Sequence, residues 1–392
     1  MFTNRTAMSG RHFLQIPGPT NVPDSILRAI NAPTIDHRGP EFAALTLDIL
    51  DKLPRVFQTQ GPVIIFPASG TGAWEAALVN CLSPADKILM CETGHFAKGW
   101  GRLANKIELN AEIIPTDWRQ GADPNAIKTR LEKDVDHLIK AVCVVHNETS
   151  TGVVSDIKAI RSAINQTNHP ALLMVDTISS LASLDYRHDE WGVDVTVAGS
   201  QKGLMLPPGL SFNAISAKAL QASKQSTLPN AYWDWDDILA SNKEGQFPYT
   251  PSTNLLYGLK TALDMLLEEG LENVFSRHLR LAEAARCAVR AWGLEILCQN
   301  ADRYSNSLTA VLVPDGHDAD QLRKIILDNF NMSLGNGLGQ LSGKVFRIGH
   351  LGDFNELSLI GTLGGVEMGL KLAQIPHKRG GAQAAIDFLA AS

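Results

Sequence analysis

Short apolar runs alternate with segments of helical periodicity between about residues 61 and 216. Apolar runs bounded by polar turns are typical of strands in a parallel sheet that is buried on both faces. The predicted strands are Val63–Phe66, Lys87–Cys91, Ala141–His146, Ala171–Asp176, Val193–Ala198 and Leu210–Ile215. Helices are predicted between them, for instance at Ala73–Asn80 and Ile157–Asn165. This part of the chain is therefore expected to have an α/β fold.

The pattern changes after a loop at Phe247–Pro251. A long helical stretch is expected from about Asn254 to Arg290, because its leucines are spaced along one face. The remaining predicted elements are a strand at Leu308–Val313, a helix at Ala319–Phe330, a glycine-rich turn at Gly335–Gly339 and a strand at Lys344–Gly349. This order favours a smaller α+β domain at the C-terminal end.

The composition narrows the class of protein. The chain has 392 residues, 44% of them hydrophobic and 19% charged, which fits a globular protein of one large domain or two. The net charge is −6 and no Lys/Arg-rich block occurs, so nucleic acid is not an expected partner. The five cysteines are scattered and predict neither a disulfide framework nor a metal site. No apolar run has the length of a signal peptide or membrane span, so we expect a cytoplasmic protein with small-molecule partners.

Candidate chemistry begins where the first predicted strand leads into its helix. The segment Phe66–Gly72 is a turn of small residues, and free N–H groups at a helix start, with glycines beside them, form an anion site. A helix capped by Ser69 or Thr71 is the alternative interpretation. The dinucleotide fingerprint G-x-G-x-x-G fails because residue 75 is Glu75, and no P-loop motif occurs. A phosphate that does not belong to a nucleotide is therefore indicated.

Two more polar residues follow predicted strands. Asp176 ends one strand, where ligands of open α/β sheets bind, although it could simply cap the next turn. Lys202 follows the next strand within Gly199–Gly203, and desolvating an unpaired ammonium is costly, so this lysine should be either covalently modified or exposed. Pyridoxal phosphate requires a phosphate cradle, a lysine for its aldehyde and a carboxylate that keeps its pyridine nitrogen protonated. The combination predicts a pyridoxal-phosphate enzyme.

Several segments carry a family resemblance in their order along the chain. They are Pro17–Pro23, Ser69–Gly72, His146–Gly152, Gly199–Leu204 with Pro207–Gly209, Tyr249–Pro251 and Phe346–His350. They resemble the serine–glyoxylate and alanine–glyoxylate aminotransferases of fold-type I, class V, and are most similar to the bacterial serine–glyoxylate branch. The resemblance implies a large cofactor-binding domain with a mostly parallel, seven-stranded type of sheet and a smaller α+β domain. It places an N-terminal arm on the small domain at residues 1–25, the large domain at 26–255, and the linking helix with the small domain at 256–392.

The resemblance implies roles for four residues around the reacting atoms. Lys202 would form the Schiff base with the cofactor, and Asp176 would bind the pyridine nitrogen. Thr149 would donate a hydrogen bond to the phenolic oxygen of the cofactor. Arg347 would hold the α-carboxylate of the substrate in a bidentate pair, for which a planar guanidinium is better suited than an ammonium. A surface arginine on a β-strand is the alternative for Arg347, but its apolar neighbours indicate a half-buried strand.

The remaining implied contacts hold the cofactor. Thr71, Gly72 and Gln201 would bind its phosphate. Either His95 or Phe96 would stack on its ring, and Phe96 is preferred.

The resemblance also implies a homodimer with shared active sites. Thr250 would reach the phosphate bound by the partner subunit, whereas Phe247 stands where relatives often carry tyrosine. Arg38, in the polar cluster with His37, is a candidate for the pocket, although a surface or helix-start role is preferred for it.

The expected reaction is transfer of an amino group from a small L-amino acid, serine in first place, to glyoxylate, giving glycine and a 2-oxo acid. Alanine and aspartate are the alternative donors. A cysteine desulfurase is disfavoured, because Cys287 lies in a helical pattern, Cys298 ends an apolar run, and Gly335–Gly339 contains no cysteine. A lyase or racemase that uses Lys202 and Asp176 stays open. A cofactor-binding regulator is disfavoured because the chain leaves no room for a DNA-binding module before the cofactor domain.

Overall fold

The computed structural model describes residues 10–391. Residues 1–9 of the predicted N-terminal arm lie outside the described residues. The helices are α1 (Asp24–Ile30), α2 (Pro40–Phe57), α3 (Gly70–Cys81), α4 (His95–Lys106), α5 (Pro124–Glu132), α6 (Ile157–Gln166), α7 (Ala217–Ser223), α8 (Trp235–Asn242), α9 (Thr253–Glu269), α10 (Leu271–Trp292), α11 (Ala319–Phe330), α12 (Glu356–Leu372) and α13 (Gly381–Ala391).

The strands form a large sheet, a smaller sheet and a short hairpin. They are β1 (Phe13–Gln15), β2 (Val63–Phe66), β3 (Lys87–Glu92), β4 (Asn110–Pro115), β5 (Ile139–Val145), β6 (Asn147–Glu148), β7 (Val153–Val154), β8 (Leu172–Asp176), β9 (Val195–Gly199), β10 (Ser211–Ile215), β11 (Glu295–Ile296), β12 (Leu308–Leu312), β13 (Met332–Asn336) and β14 (Val345–Gly349). Within residues 10–391, none of the helices combines the length and apolar character that crossing a membrane requires.

The large sheet has seven strands in the order β2-β10-β9-β8-β5-β3-β4. Strand β10 runs antiparallel to both of its neighbours, and the other neighbouring pairs are parallel. Along β5, Val142 and Val144 pack into one hydrophobic cluster, while Ala141 and Cys143 pack into another. Burial on both faces explains why the strands are continuous apolar runs, and it confirms the predicted fold class.

The predicted strands of the large sheet are confirmed with small shifts at their ends, but the sequence pattern missed β4. This strand lies at the edge of the sheet and pairs only with β3 among the described residues. Its side chains are half-buried or exposed, so it lacks the apolar run that identified the other strands.

The smaller sheet has the strand order β1-β13-β14-β12-β11. Strand β1 pairs parallel with β13, and the other pairs are antiparallel. A cluster that includes Trp292, Phe346 and Leu363 forms the hydrophobic core between this sheet and its helices. The chain segment that contains β1 therefore joins the small sheet before it continues to α1. The domain limits at residues 25 and 255 stay predictions.

Two details of the predicted C-terminal half were wrong. The long helical stretch is divided into α9 and α10 at Gly270, whose φ of +82° belongs to the left-handed region that favours glycine. The predicted glycine-rich turn is partly a strand, because Gly335 and Asn336 end β13 and Gly339 begins a single 3₁₀ turn. Glycine content alone predicted a loop at a place where pairing with β14 keeps the backbone extended.

Candidate active site

Most of the predicted site residues lie at the carboxyl edge of the large sheet. Asp176 is the last residue of β8, Lys202 follows β9, and Thr149 follows β5 by way of the short strand β6. Phe96 is at the start of α4 after β3, and Gly72 is in the first turn of α3 after β2. Parallel strands end at the same edge of a sheet, so the fold collects residues that are far apart in sequence.

Lys202 is buried, with 7% of its surface exposed. Its Nζ donates a hydrogen bond to the carbonyl oxygen of Pro17. Burial and, to a smaller extent, the positive charge of Arg347 together lower the pKa of Lys202 to about 7. Gly18 allows this close approach, since its φ is +99° and a Cβ at this position would lie 2.6 Å from Lys202 Nζ. The amine is therefore held in a confined site in which its uncharged form is favoured.

Asp176 is also buried, with 3% of its surface exposed. Its Oδ1 accepts a hydrogen bond from the Ile178 backbone N–H at 2.7 Å, and its Oδ2 accepts one from Trp74 Nε1 at 2.8 Å. Burial raises the pKa of Asp176 to about 7, and the two hydrogen bonds oppose that rise. The alternative interpretation, that Asp176 caps the next turn, is therefore correct for one carboxylate oxygen, Oδ1. The second oxygen is held by a different element, the helix α3.

The start of α3 has the features of the predicted anion cradle. Its N-cap residue, Ser69, makes no side-chain capping hydrogen bond, and Ser69 and Thr71 are both exposed. A Cβ at Gly72 would lie 2.9 Å from the ring of Trp233, so only glycine fits there. The side-chain oxygen of Gln201 is buried without a hydrogen-bond partner among residues 10–391. An uncapped helix start of this kind is suited to an anionic ligand, whereas the unpaired oxygen of Gln201 is a hydrogen-bond acceptor and does not itself attract an anion.

A cavity of about 540 Å³ lies between α3 and α4. Its lining includes Thr71, Trp74, His95 and Phe96. The rings of His95 and Phe96 meet edge to face, with centroids 5.5 Å apart. Both candidates for ring stacking thus border the same space, and the preference for Phe96 stays a prediction.

Arg347 lies on β14 and is buried, with 6% of its surface exposed, so the alternative of a surface arginine is wrong. Its Nη1 donates to the Thr149 carbonyl oxygen at 2.7 Å and its Nε to the Asn336 carbonyl oxygen at 2.7 Å. Its Nη2 has no hydrogen-bond partner within residues 10–391. Burial lowers the pKa of Arg347 to about 10, which still leaves the guanidinium charged at neutral pH. Thr149 in turn donates from Oγ1 to Ser179 Oγ at 2.7 Å.

Two predicted residues are exposed in the described chain. Thr250 lies just before α9, and Arg38 lies in the turn before α2, where its backbone N–H donates to Asp36 Oδ1 at 2.9 Å. Within residues 10–391, no hydrogen bond joins either side chain to Lys202 or Arg347. The roles of Thr250, Arg38 and the half-buried His37 stay predictions.

Sequence reasoning missed three contributors to the site: Pro17, Trp74 and Glu148. Glu148 is fully buried and accepts hydrogen bonds from the Phe96 and Ala97 backbone N–H groups at 3.3 and 3.1 Å, so its carboxylate caps the start of α4. The signal for Glu148 was its place beside Thr149 in a recognised motif, and the signal for Trp74 was its place in the helix of the anion cradle. Neither signal specifies a contact.

An α/β chain with this large sheet and this smaller sheet has the fold-type I architecture, which is the fold of pyridoxal-phosphate-dependent aminotransferases. The sequence profile of the family described as Aminotransferase class-V matches residues 13–348, and this chain belongs to that family.

Relatives support the same assignment over nearly the whole chain. The chain is 47% identical over 378 residues to a serine–glyoxylate aminotransferase of Arabidopsis thaliana, covering 96% of this chain and 94% of the relative. It is 42% identical over 379 residues to an L-aspartate–glyoxylate aminotransferase of Paracoccus denitrificans, covering 96% of both chains. Among solved structures, pyridoxamine–pyruvate aminotransferase from Mesorhizobium loti superposes with a TM-score of 0.91 at 28% identity, covering 98% of both chains.

Proposed function

We propose that this aminotransferase binds pyridoxal 5′-phosphate and transfers the amino group of L-serine to glyoxylate, giving glycine and a 2-oxo acid. The observation that carries the proposal is a group of three buried residues whose charges act on one another. Lys202 and Asp176 lie at the carboxyl edge of the large sheet, and Arg347 lies on β14 of the smaller sheet. The 47% identity to a serine–glyoxylate aminotransferase supports serine and glyoxylate as the substrates.

The residues present fit the cofactor. Lys202 would hold its aldehyde carbon and Asp176 its pyridine nitrogen. The uncapped start of α3 at Thr71 and Gly72 would receive its phosphate, and Gln201 would donate to it through its amide nitrogen.

Two further residues complete the set. Thr149 would hold the phenolic oxygen of the cofactor, and Phe96 would cover its ring. When bound, pyridoxal phosphate supplies an electron sink for the carbanion that forms at the substrate's α-carbon.

Lys202 would also move the proton of the reaction. A lysine with a pKa of about 7 is largely uncharged at pH 8, so its Nζ can take the proton from the donor's α-carbon. The same group, once protonated, can return the proton when glyoxylate is the substrate. Burial of Lys202 keeps water from competing for this transfer.

Arg347 would orient both substrates. Serine and glyoxylate each carry one carboxylate. The free Nη2 of Arg347, with its neighbouring N–H groups, is suited to bind that carboxylate. Because Nη1 and Nε are anchored to backbone carbonyls, the guanidinium has a fixed orientation. The α-carbon of every donor would thus be held in the same place relative to Lys202.

We also propose a homodimer in which Thr250 of each subunit completes the phosphate site of the other. The exposure of Thr250 supports this, since a side chain turned to the outside of its own subunit is available to a second one. Sedimentation equilibrium is expected to give twice the chain mass of 42.5 kDa. A monomer that retains full activity would contradict the shared site.

The donor is tested by single-turnover half-reactions followed by cofactor absorbance. Serine, alanine and aspartate are each mixed with the cofactor-loaded enzyme, and glyoxylate is then added to reverse the change. We expect the highest kcat/KM for serine. A higher value for aspartate would favour the alternative that the 42%-identical relative supports. Absence of amine transfer with every donor would instead favour a lyase or racemase.

A further inference from the structure

Trp74 makes a hydrogen bond that the proposed reaction does not yet explain. It lies in α3, has 5% of its surface exposed, and donates from Nε1 to Asp176 Oδ2 at 2.8 Å. The same carboxylate accepts from the Ile178 N–H through its other oxygen. Each oxygen of the carboxylate is therefore held by one donor, and the two donors come from different elements of the fold.

The environment makes the indole contact important. Both partners are buried, and a hydrogen bond to an ionised group in such surroundings is stronger than one between neutral groups. It stabilises the carboxylate form of Asp176 against the carboxylic acid that burial favours. Glu148 adds a negative charge that also favours the acid form, whereas Lys202 opposes it. Loss of the indole N–H would leave the Ile178 N–H as the only hydrogen bond to this carboxylate in residues 10–391.

We propose that Trp74 is a positioning residue that keeps Asp176 ionised and oriented, so that the ring nitrogen of the cofactor holds its proton. This inference rests on the proposed function and extends it to a residue that does not take part in the chemistry itself. Asp176 and the ring nitrogen would share one proton. If the carboxylate form of Asp176 is less well stabilised, that proton moves toward Asp176. The electron sink would then be weaker even if the cofactor remained bound.

The chain offers a matched control in Trp100. This residue of α4 is fully buried and stacks on Trp74, with ring centroids 5.9 Å apart and an angle of 13° between the planes. Its Nε1 has no hydrogen-bond partner among residues 10–391. Trp100→Phe therefore removes part of an indole ring from this cluster without removing a hydrogen bond. Trp74→Phe removes the same ring volume and also the hydrogen bond to Asp176.

The first measurement is the affinity of the apoenzyme for pyridoxal phosphate. Trp74→Phe should raise Kd by up to about ten-fold relative to Trp100→Phe, since a hydrogen bond to a charged group contributes about that factor to keeping Asp176 ionised, and the carboxylic acid cannot form an ion pair with the ring nitrogen. Thermal unfolding of both apoenzymes monitors the packing change that they share. If Trp74→Phe does not fold, replacing the indole of Trp74 by benzothiophene, which keeps the ring shape but lacks the N–H, provides the same comparison.

The second measurement reads the proton directly. With pyridoxal phosphate labelled with ¹⁵N in the ring, wild type and Trp100→Phe should give a pyridinium-like resonance. Trp74→Phe should move it toward unprotonated pyridine, the direction expected for Asp176→Asn. If cofactor-loaded Trp74→Phe has the same ¹⁵N resonance and the same Kd as Trp100→Phe, the proposed role of Trp74 is wrong, while the proposed function is unaffected. A wild-type protein that binds no pyridoxal phosphate would overturn the proposed function together with this inference.

Discussion

Replacing Lys202 by alanine is expected to lower the rate of transamination about 10⁴-fold or more. The side chain would provide both the attachment point of the cofactor and the group that moves the α-proton, and positioned acid–base groups alone contribute about 10²–10⁴-fold. Lys202 is the only buried lysine among residues 10–391. No neighbouring amine is therefore placed to replace it.

The same variant should lose the covalent adduct. Borohydride reduction of the wild-type holoenzyme, followed by peptide mass analysis, should place the cofactor on Lys202. Lys218→Ala is the control, because Lys218 donates to the carbonyl of Ala171 at 2.9 Å, at the amino end of the strand whose carboxyl end carries Asp176. It should leave adduct and rate unchanged. If Lys202→Ala still forms the reducible adduct in the same amount, Lys202 is not the residue that binds the cofactor covalently.

The fold was predictable where burial is uniform. Strand β8 is covered on both faces, so it is apolar up to its last residue, Asp176, and β5 is apolar and buried from Ala141 to Val145. The edge strand β4 lacks that signature because solvent reaches its side chains. Gly270 interrupts a helical pattern that is otherwise continuous on both sides, and periodicity alone does not report a single positive φ.

The sequence was sufficient to predict which residues belong to the site, but not which residues they contact. Polar residues after apolar runs identified Asp176 and Lys202, because parallel strands bring such positions to one edge. The partners of these residues were not predictable, since Trp74 is 102 positions from Asp176 and Pro17 is 185 positions from Lys202. Such pairs are set by how α3 and the N-terminal segment pack on the sheet, and no local pattern encodes that packing.

The charges of the site depend on one another. Arg347 lowers the pKa of Lys202, while Asp176 and Glu148 raise it. Replacing any of these groups therefore changes the protonation of the others, and kinetic effects of double variants should not be additive. Comparisons between donors within one variant avoid this difficulty, because the protein's own charges are then the same for each donor.

Arg347→Ala is expected to impair every donor and glyoxylate alike, because each presents the one carboxylate that Arg347 would bind. A substrate carboxylate left unpaired in a buried site costs about 2–5 kcal/mol, or roughly 30- to 5,000-fold in kcat/KM. Arg347→Lys should be only partly better, since an ammonium keeps the charge but cannot replace the fork that also contacts Thr149 and Asn336. Both half-reactions should show the loss, which separates this effect from a defect in the proton transfer of one direction.

Arg38→Ala is the matched comparison, and it also distinguishes the donors. Aspartate carries a second carboxylate that needs a second cation, and Arg38 is the candidate identified from the sequence. If serine is the donor, Arg38→Ala should change serine turnover only modestly, in keeping with the exposed position of Arg38. If aspartate is the donor, the same substitution should raise the KM for aspartate and leave serine and alanine nearly unchanged. An Arg347→Ala enzyme with unimpaired kcat/KM for serine, alanine and aspartate would show that the substrate carboxylate is bound elsewhere.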